Sequence, residues 1–396
     1  SHPSAWSRVC LTLIRGSRRK FSRPRRSWSM PSSEHSELSP RSDAGSGPLF
    51  VVGIWRSGTS LFYTLLNQHP QIALLYEGDL PLLRPLFSRK GSNRDWLTRW
   101  EFWNSALSRH RIPIDKIPSY VPDLASGAMA VWKEYAGPGV LMGEKSPNYF
   151  DSLQILAKEF PGAQFIVIWR DLSDICRSIV RASKGSSFFS KPGIAHRAVI
   201  GYHKLKLECD ALVSQNIPLH QIQYEELVRD STKVMTGVCN FLQIPFDTRM
   251  CSLEGSDRSA IYEGSHHELV KREKILSSKK HEEVLPQRLK RKIESYVSYW
   301  KEQSGDTWPR YPEIQQPVLR FPGPAQRFAD NALFRGLRIL DGFTAFVYCY
   351  APTSWLEKYR SFKSRRYQNA ASEKSGRAPS SPGGETLPTL EAHELK

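Results

Sequence analysis

Residues Pro48–Ser60, PLFVVGIWRSGTS, and Leu61–Pro70, LFYTLLNQHP, decide the fold of this 396-residue chain. The first segment begins with a short apolar, β-branched run after a proline, which predicts a buried strand. Leu61, Leu65 and Leu66 then recur at helical spacing, and a His-Pro pair ends the run, so the pattern predicts a strand, a tight loop and a helix. Loop amides and the positive end of the helix dipole meet in such an arrangement, which favours an anion there.

The spacing of the loop nearly matches a nucleoside-triphosphate motif. Gly53, Gly58 and Ser60 fit G-x-x-x-x-G-K-[ST], but Thr59 stands where the motif has lysine. A nucleoside triphosphatase uses that lysine on the β- and γ-phosphates, whereas the cation of this loop is Arg56, near its start. The loop therefore indicates an anion site that differs from an ATP site.

Further short apolar runs alternate with segments of helical period, such as residues 193–215. These runs are Gln71–Tyr76, Val140–Gly143, Phe165–Trp169 and Ile217–Tyr224. Strands that alternate with helices predict an α/β three-layer sandwich with a mostly parallel central sheet flanked by helices. Glu77 follows the second strand, at the sheet edge where ligands of such folds bind.

An aromatic stripe follows the second predicted strand. Its members are Trp96, Trp100, Trp103 and Leu107. Their spacing predicts one face of a single helix, and we expect that face to lie in the core rather than to form a platform for a substrate.

Positive charge is concentrated at the start of the chain. Lys and Arg number 56 against 39 Asp and Glu, a net charge of +17, and residues 1–33 contain no acidic residue. This basic, Ser-rich segment has the composition of an organelle transit peptide or of a disordered tail. We expect a plastid or mitochondrial location in the first case and a cytoplasmic one in the second. The remaining excess charge suits an anionic cofactor or substrate, and no nucleic-acid-binding signature accompanies it.

Composition divides the chain into four predicted parts. They are a basic leader (1–47), a main domain (48–308), a Pro-rich and amphipathic helical extension (309–370) and a disordered tail (371–396). The extension has an apolar face that suits either packing on the domain or an anionic membrane surface, and we favour packing. No apolar run reaches the roughly 20 residues that a membrane-spanning helix needs.

The six cysteines show neither a C-x-x-C pair nor metal-ligand spacing with histidine. We therefore expect no metal and mostly reduced core thiols. A bridge between Cys239 and Cys251 is the pairing that the sequence leaves open.

Three segments together resemble a known family. They are the lysine-less loop RSGTS at 56–60, the run EKSPNYF at 144–150, and Arg170 with Ser178 eight positions later. In this order they resemble the sulfotransferases that use 3′-phosphoadenosine 5′-phosphosulfate (PAPS), which have a P-loop-like fold. The resemblance covers about residues 48–300. The loop looks like that of tyrosylprotein and bacterial-type members, and the EKSPNYF run looks like that of heparan-type members.

The resemblance implies roles for particular residues. The loop, with Arg56, Ser57, Gly58, Thr59 and Ser60, would hold the 5′-phosphosulfate, and Arg170 and Ser178 would hold the 3′-phosphate. Further candidate cofactor ligands are Tyr224, Lys271 and Arg272.

Cytosolic members carry a histidine base two residues after the equivalent of Lys145, where this chain has Pro147. Glu77 lies where tyrosylprotein members place a catalytic glutamate, so it is the predicted base, with Lys145 as the cation at the leaving oxygen. The next candidates for the base are Glu144, His196 and His203.

The implied reaction moves a sulfuryl group from PAPS to a hydroxyl or amine acceptor without a metal. A carbohydrate, a peptide tyrosine and a small metabolite remain open as acceptors, and residues 84–136 and 184–200 would set the choice. The rival hypotheses are a kinase or ATPase on the same fold and a non-enzymatic scaffold on a membrane surface. Thr59 argues against the kinase, because the phosphate-binding lysine is missing.

Overall fold

The computed structural model describes residues 47–87, 95–186, 188–261, 275, 283–304, 321–359 and 361. The predicted leader, apart from Gly47, and the predicted tail lie outside these residues. The candidate ligands Lys271 and Arg272 lie outside them as well.

Five parallel strands form the central sheet. They are β1 (Leu49–Val52), β2 (Ile72–Tyr76), β3 (Leu141–Lys145), β4 (Gln164–Trp169) and β5 (Leu219–Gln223). Their order is β2-β3-β1-β4-β5, and every neighbouring pair is parallel. Val51 pairs with Lys145 on one side and with Ile166 on the other, so the carboxyl ends of the three central strands lie together. The predicted parallel sheet is confirmed.

Alternation along β1 separates two apolar cores. Phe50 and Val52 belong to one core, whereas Leu49 and Val51 belong to the other, and all four side chains are fully buried. Side chains that alternate along a strand point to opposite faces of a sheet. Both faces are therefore covered by helices, as in the three-layer sandwich expected from the sequence.

Eleven α-helices surround the sheet in the described part of the chain. They are α1 (Thr59–Leu66), α2 (Trp96–Asn104), α3 (Ala106–Arg109), α4 (Leu124–Ala136), α5 (Leu153–Glu159), α6 (Leu172–Ala182), α7 (Ile194–Ser214), α8 (Tyr224–Arg229), α9 (Ser231–Leu242), α10 (Gln287–Ser304) and α11 (Pro324–Tyr350). Helices α1, α8 and α9 cover the face that carries Leu49 and Val51. Helices α2, α4, α6, α7, α10 and α11 contribute to the core on the opposite face.

The tryptophan stripe extends over two helices instead of one. Ser105 adopts a left-handed backbone conformation, with φ at 54°, and separates α2 from α3. Asn104 stabilises this turn because its side-chain oxygen accepts a hydrogen bond from the amide of Ala106, 3.0 Å away. Trp96 and Trp100 are nevertheless fully buried, as their spacing predicts.

The bridge between Cys239 and Cys251, which the sequence left open, does not form. Cys239 and Cys251 are both free thiols, and Cys239 Sγ lies 3.6 Å from Met250 Sδ. Burial is the main reason that the pKa of Cys239 is raised, which keeps it a protonated core thiol.

Helix α11 packs on the sheet domain. Arg99 of α2 donates hydrogen bonds to the carbonyl oxygens of Tyr348 and Ala351, at 3.0 and 2.8 Å, and Arg338 forms an ion pair with Asp151 at 2.9 Å. The opposite face of α11 exposes apolar side chains, such as Phe328. No helix among the described residues has the length and apolarity needed to cross a membrane.

Candidate active site at the carboxyl edge of the sheet

The loop between β1 and α1 has the geometry of an anion cradle. Gly58 has a φ of +102°, and a Cβ at this position would overlap the ring of Tyr224. Glycine is therefore required for both backbone conformation and space. Because Gly58 is the N-cap and provides no side-chain cap, the first-turn amides of α1 stay available to a ligand.

Four of the predicted cofactor ligands meet beside this loop. The Nε atom of Arg56 donates to Ser178 Oγ at 3.0 Å, and Arg170 Nη1 donates to the carbonyl oxygen of Arg56 at 2.9 Å. The Arg170 guanidinium lies over the ring of Tyr224, 4.4 Å from its centre. Strands β1 and β4 are neighbours, which brings residues 114 positions apart into contact.

Two neighbouring guanidinium groups give this part of the site a positive potential. Burial, and next the charge of Arg170, lower the pKa of Arg56 to about 10. Arg56 still carries its charge at neutral pH, but that charge is poorly solvated. A bound anion would replace the missing hydration and relieve the repulsion between the two guanidinium groups.

The predicted catalytic pair is a buried salt bridge. Lys145 Nζ lies 2.5 Å from Glu77 Oε1, with Lys145 fully buried and Glu77 only 4 % exposed. The parallel register produces this contact, because Tyr76 pairs with Lys145 and the amide of Glu77 donates to the Lys145 carbonyl oxygen at 2.8 Å. Burial lowers the pKa of Lys145, and the Glu77 carboxylate opposes that shift.

Lys145 also connects the catalytic pair to the anion loop. Its Nζ donates to Ser60 Oγ at 3.3 Å and lies 3.7 Å from the centre of the Tyr76 ring. The hydroxyl groups of Ser60 and Tyr76 are 2.8 Å apart. The ammonium group can therefore reach an anion in the loop with a small movement of its flexible side chain.

A buried network around Asp79 was not predicted from the sequence. Asp79 accepts hydrogen bonds from Ser146 Oγ at 2.5 Å and from Asn148 Nδ2 at 2.9 Å, and Asn148 Oδ1 accepts one from Trp55 Nε1 at 3.0 Å. This network links the segments that follow β1, β2 and β3. The available sequence signal was Ser146 before Pro147, which is an N-cap followed by a helix-starting proline.

The backbone around Glu77 is strained. Glu77 and Asp79 have φ angles of 47° and 55°, in the left-handed region that residues other than glycine rarely adopt. Donors from α2 and α3 hold the turn, because Asn104 Nδ2 and Arg109 Nη2 each donate to the Glu77 carbonyl oxygen at 3.0 Å. Such strain is typical of functional sites, where the surrounding contacts fix the conformation.

Of the alternative bases, only Glu144 lies at this site. It is fully buried, and its Oε1 accepts the Asp79 amide at 2.5 Å. His196 and His203 lie on α7, away from Glu77. The His203 ring stacks on Trp300 of α10, and burial lowers its pKa to about 4.

The site fits a phosphorylated nucleotide. Among the described residues, the buried hydroxyl of Ser57 has no hydrogen-bond partner, and Gly58 lets the ring of Tyr224 pack directly against the loop. Loop amides, two guanidinium groups and one ammonium group are the donors that phosphate and sulfate oxygens require. In the same part of the chain, no group of three or more His, Cys, Asp or Glu side chains is arranged around a metal. Metal-free chemistry stays a prediction.

Comparison with known proteins identifies a family and several relatives. A family model described as "Sulfotransferase family" matches residues 48–248. Protein-tyrosine sulfotransferase 1 of Danio rerio is 27 % identical over 214 residues, which are 50 % of this chain and 54 % of the relative. Protein-tyrosine sulfotransferase A of Caenorhabditis elegans is 23 % identical over 225 residues, which are 54 % of this chain and 56 % of the relative.

The chain therefore spans about half the length of these two relatives. A solved sulfotransferase domain from the curacin biosynthetic pathway superposes with a TM-score of 0.47 at 20 % identity. The superposition covers 65 % of this chain and 98 % of that domain.

Proposed function

This chain belongs to the sulfotransferase family, and we propose that it transfers a sulfuryl group from PAPS to a hydroxyl acceptor by in-line attack. The observation that carries the proposal is the meeting of Arg56, Arg170 and Ser178 beside a glycine-capped helix N-terminus. A single one of these side chains could bind many different anions. The three side chains and the helix N-terminus together can bind a nucleotide that carries phosphate groups at two positions.

PAPS supplies an activated sulfuryl group joined through a bridging oxygen to a phosphate leaving group. We assign the 5′ end to the loop amides, Arg56 and the Ser60 hydroxyl, and the 3′-phosphate to Arg170 and Ser178. Tyr224 packs under the Arg170 guanidinium and keeps it directed towards the loop. The loop amides, Arg56 and Ser60 are in place before the nucleotide binds. They can therefore stabilise the charge that develops on the leaving phosphate without reorganisation.

Glu77 is the proposed general base. Its carboxylate takes the proton of the acceptor hydroxyl as the new oxygen–sulfur bond forms, while the bond from sulfur to the bridging oxygen breaks. An ordinary carboxylate is a weak base towards an alcohol, so the transfer must occur within the transition state and depends on alignment. The strained turn at Glu77 and its backbone hydrogen bonds fix that alignment.

Lys145 acts on the leaving group in this proposal. In the described structure its ammonium group neutralises Glu77. When an anion enters the loop, the ammonium group can turn towards it through Ser60, which frees the carboxylate to accept a proton. The same movement therefore prepares the base and stabilises the leaving oxygen.

The test is transfer of labelled sulfate from PAPS, with identification of the labelled product. We expect labelled sulfate to pass from PAPS to the acceptor. Under matched conditions, no labelled phosphate should pass to it from γ-labelled ATP with Mg²⁺. Transfer of phosphate from ATP would contradict the proposal and support a kinase.

A further inference from the structure

The outward side of α11 is a continuous apolar face. Its large side chains, each at least 52 % exposed, are Phe328, Leu333, Ile339, Leu340, Phe343 and Phe346. Small residues lie between them at helical spacing, as Ala332 and Gly336 do. At about 1.5 Å per residue, the stretch from Phe328 to Phe346 is roughly 27 Å long. Contiguous exposed apolar surface of this kind marks an interaction site, and we call it the outer face.

The acidic residues of α11 are directed away from the outer face. The helix contains two of them, Asp330 and Asp341. Asp330 forms an ion pair with Lys292 of α10 at 2.6 Å, and Asp341 forms one with Arg197 of α7 at 2.5 Å. The outer face of α11 therefore presents no carboxylate. The charged side chain at its edge is Arg335, which is exposed.

The docking of α11 holds the outer face towards solvent. On the opposite side of the helix, Phe334, Ala345 and Tyr348 are buried in the core of the sheet domain. Arg338 adds an ion pair with Asp151 at 2.9 Å. The helix is therefore folded and oriented before any partner arrives, so binding through the outer face does not require ordering of the helix.

The chain after α11 is aromatic and basic. The rings of Trp355 and Tyr359 are about half exposed and stack with their centres 5.9 Å apart. Tryptophan and tyrosine are enriched where a membrane meets water. In the sequence, residues 358–366, KYRSFKSRR, contain Lys and Arg but no acidic residue. Basic residues next to an amphipathic helix favour binding to anionic lipids.

Charge distinguishes the possible partners of the outer face. The chain has a net charge of +17, so two copies repel each other, whereas an anionic surface attracts the chain. An amphipathic helix on a membrane lies along the surface, with its apolar side buried about 5–10 Å deep. The outer face has the shape for this contact, because it is a straight apolar stripe along one helix.

We propose that the outer face of α11 docks on an anionic lipid surface. The side chains of Ile339 and Phe343 insert among the acyl chains, and Arg335 meets the headgroups. The helix lies along the membrane and does not cross it. This inference goes beyond the proposed function, because the outer face shares no residue with the candidate active site.

Vesicle flotation with the full chain tests the preference for anionic lipid. The two probes are phosphatidylcholine vesicles and vesicles in which about one third of the lipid is phosphatidylserine. At roughly 0.1 M salt we expect binding to the anionic vesicles to be at least about tenfold tighter than to the neutral ones. Equal binding to both, or binding to neither, would overturn the proposal.

Two double variants test the face itself. Ile339→Ser with Phe343→Ser removes two side chains of the outer face, and Leu207→Ser with Val213→Ser removes two similarly exposed side chains of α7. Burial of one such side chain is worth about tenfold in binding, so we expect the first variant to bind anionic vesicles at least about tenfold more weakly. The second variant should bind as the wild type does. Equal binding by the two variants would overturn the proposal.

A pair of charge reversals tests the edge of the face. Arg335→Glu should weaken binding to anionic vesicles about tenfold, since each basic residue at the surface contributes several-fold. Arg229→Glu changes the net charge equally, at an exposed position of α8 on the other side of the sheet, and should have a much smaller effect. Equal effects of the two reversals would show that only the net charge acts and would overturn the placement of α11 on the lipid.

Sedimentation velocity without lipid tests the rival occupant, a second copy of the chain. A dimer that Ile339→Ser with Phe343→Ser abolishes would assign the outer face to that second copy and overturn the proposal. We expect a monomer instead. All these variants should bind adenosine 3′,5′-bisphosphate in calorimetry as the wild type does, because they leave the candidate active site intact. Failure of the wild type to bind this nucleotide would count against the proposed function alone.

Discussion

The substitution Glu77→Gln separates chemistry from binding at the proposed base. Glutamine keeps the shape of the side chain and an oxygen 2.5 Å from Lys145 Nζ, but it removes the basicity and the negative charge. General-base catalysis contributes about 10²–10⁴-fold, so we expect single-turnover transfer at saturating PAPS to fall by that factor. Affinity for adenosine 3′,5′-bisphosphate should not fall, because Glu77 is assigned to the acceptor and its neutral replacement holds Lys145 less tightly.

The same substitution has a cost in stability that follows from the buried pair. Complete loss of one partner of a buried ion pair costs roughly 3–5 kcal/mol, but glutamine still accepts a hydrogen bond. A hydrogen bond with a charged partner is worth roughly 1 kcal/mol more than a neutral one, so we expect a free energy of unfolding lower by about 1–3 kcal/mol. Denaturant unfolding measures this loss independently of the kinetics.

Glu144→Gln is the control for these measurements. Glu144 is also a buried carboxylate at the same edge of the sheet, and it accepts the Asp79 amide. We expect a comparable loss of stability with a much smaller loss of rate. Full single-turnover activity in Glu77→Gln would refute the assignment of the base. A severe loss confined to Glu144→Gln would assign the base to Glu144.

Two further substitutions test other parts of the site, and Gly193→Ala is the control for one of them. Lys145→Ala should lower turnover more than it lowers nucleotide affinity, and kinetics together with calorimetry measure the two effects separately. Unchanged turnover with weaker binding would instead make Lys145 a ground-state anchor. Gly58→Ala should abolish nucleotide binding in calorimetry, because its Cβ would clash with the ring of Tyr224. Gly193 also has a positive φ, of +79°, but a Cβ there meets no atom within 4 Å, so Gly193→Ala should keep nucleotide binding. Equal binding in both would remove the steric argument.

His110→Phe tests the acid sensitivity of stability. Burial, then Arg109, lower the pKa of His110 to about 3, so the unfolded chain binds one more proton between about pH 3 and 6.5. The wild type should therefore lose about 2 kcal/mol more than the variant from pH 7 to pH 5 in denaturant unfolding. Equal losses would show that His110 is not buried as a neutral group.

The sequence predicted the sheet and most helices because their signals are local. Apolar runs and helical periods predict the order of the elements, and the glycine spacing of the loop at 53–60 predicts where an anion would bind. The break at Ser105 was missed, since the aromatic stripe has a continuous helical period on both sides of a turn that Asn104 stabilises. Tyr224 was placed in a strand, although it begins α8.

The contacts within the site were only partly predictable. Arg56 and Ser178 are 122 positions apart, and only the pairing of β1 with β4 brings them together. The Asp79 network and the Glu77–Lys145 ion pair depend on strand register, which the sequence does not reveal. The docking site of α11 was not predictable either, because an amphipathic pattern cannot say which surface a helix covers.

Calorimetry of nucleotide binding tests the central claim most directly. A 3′-phosphate held by Arg170 and Ser178 adds charge-assisted hydrogen bonds worth roughly 1.5–3 kcal/mol each. We predict that adenosine 3′,5′-bisphosphate binds at least about 100-fold more tightly than 5′-AMP or ATP, and that Arg170→Ala removes most of this difference. Equal affinity for nucleotides with and without a 3′-phosphate would contradict the assignment of this site to PAPS.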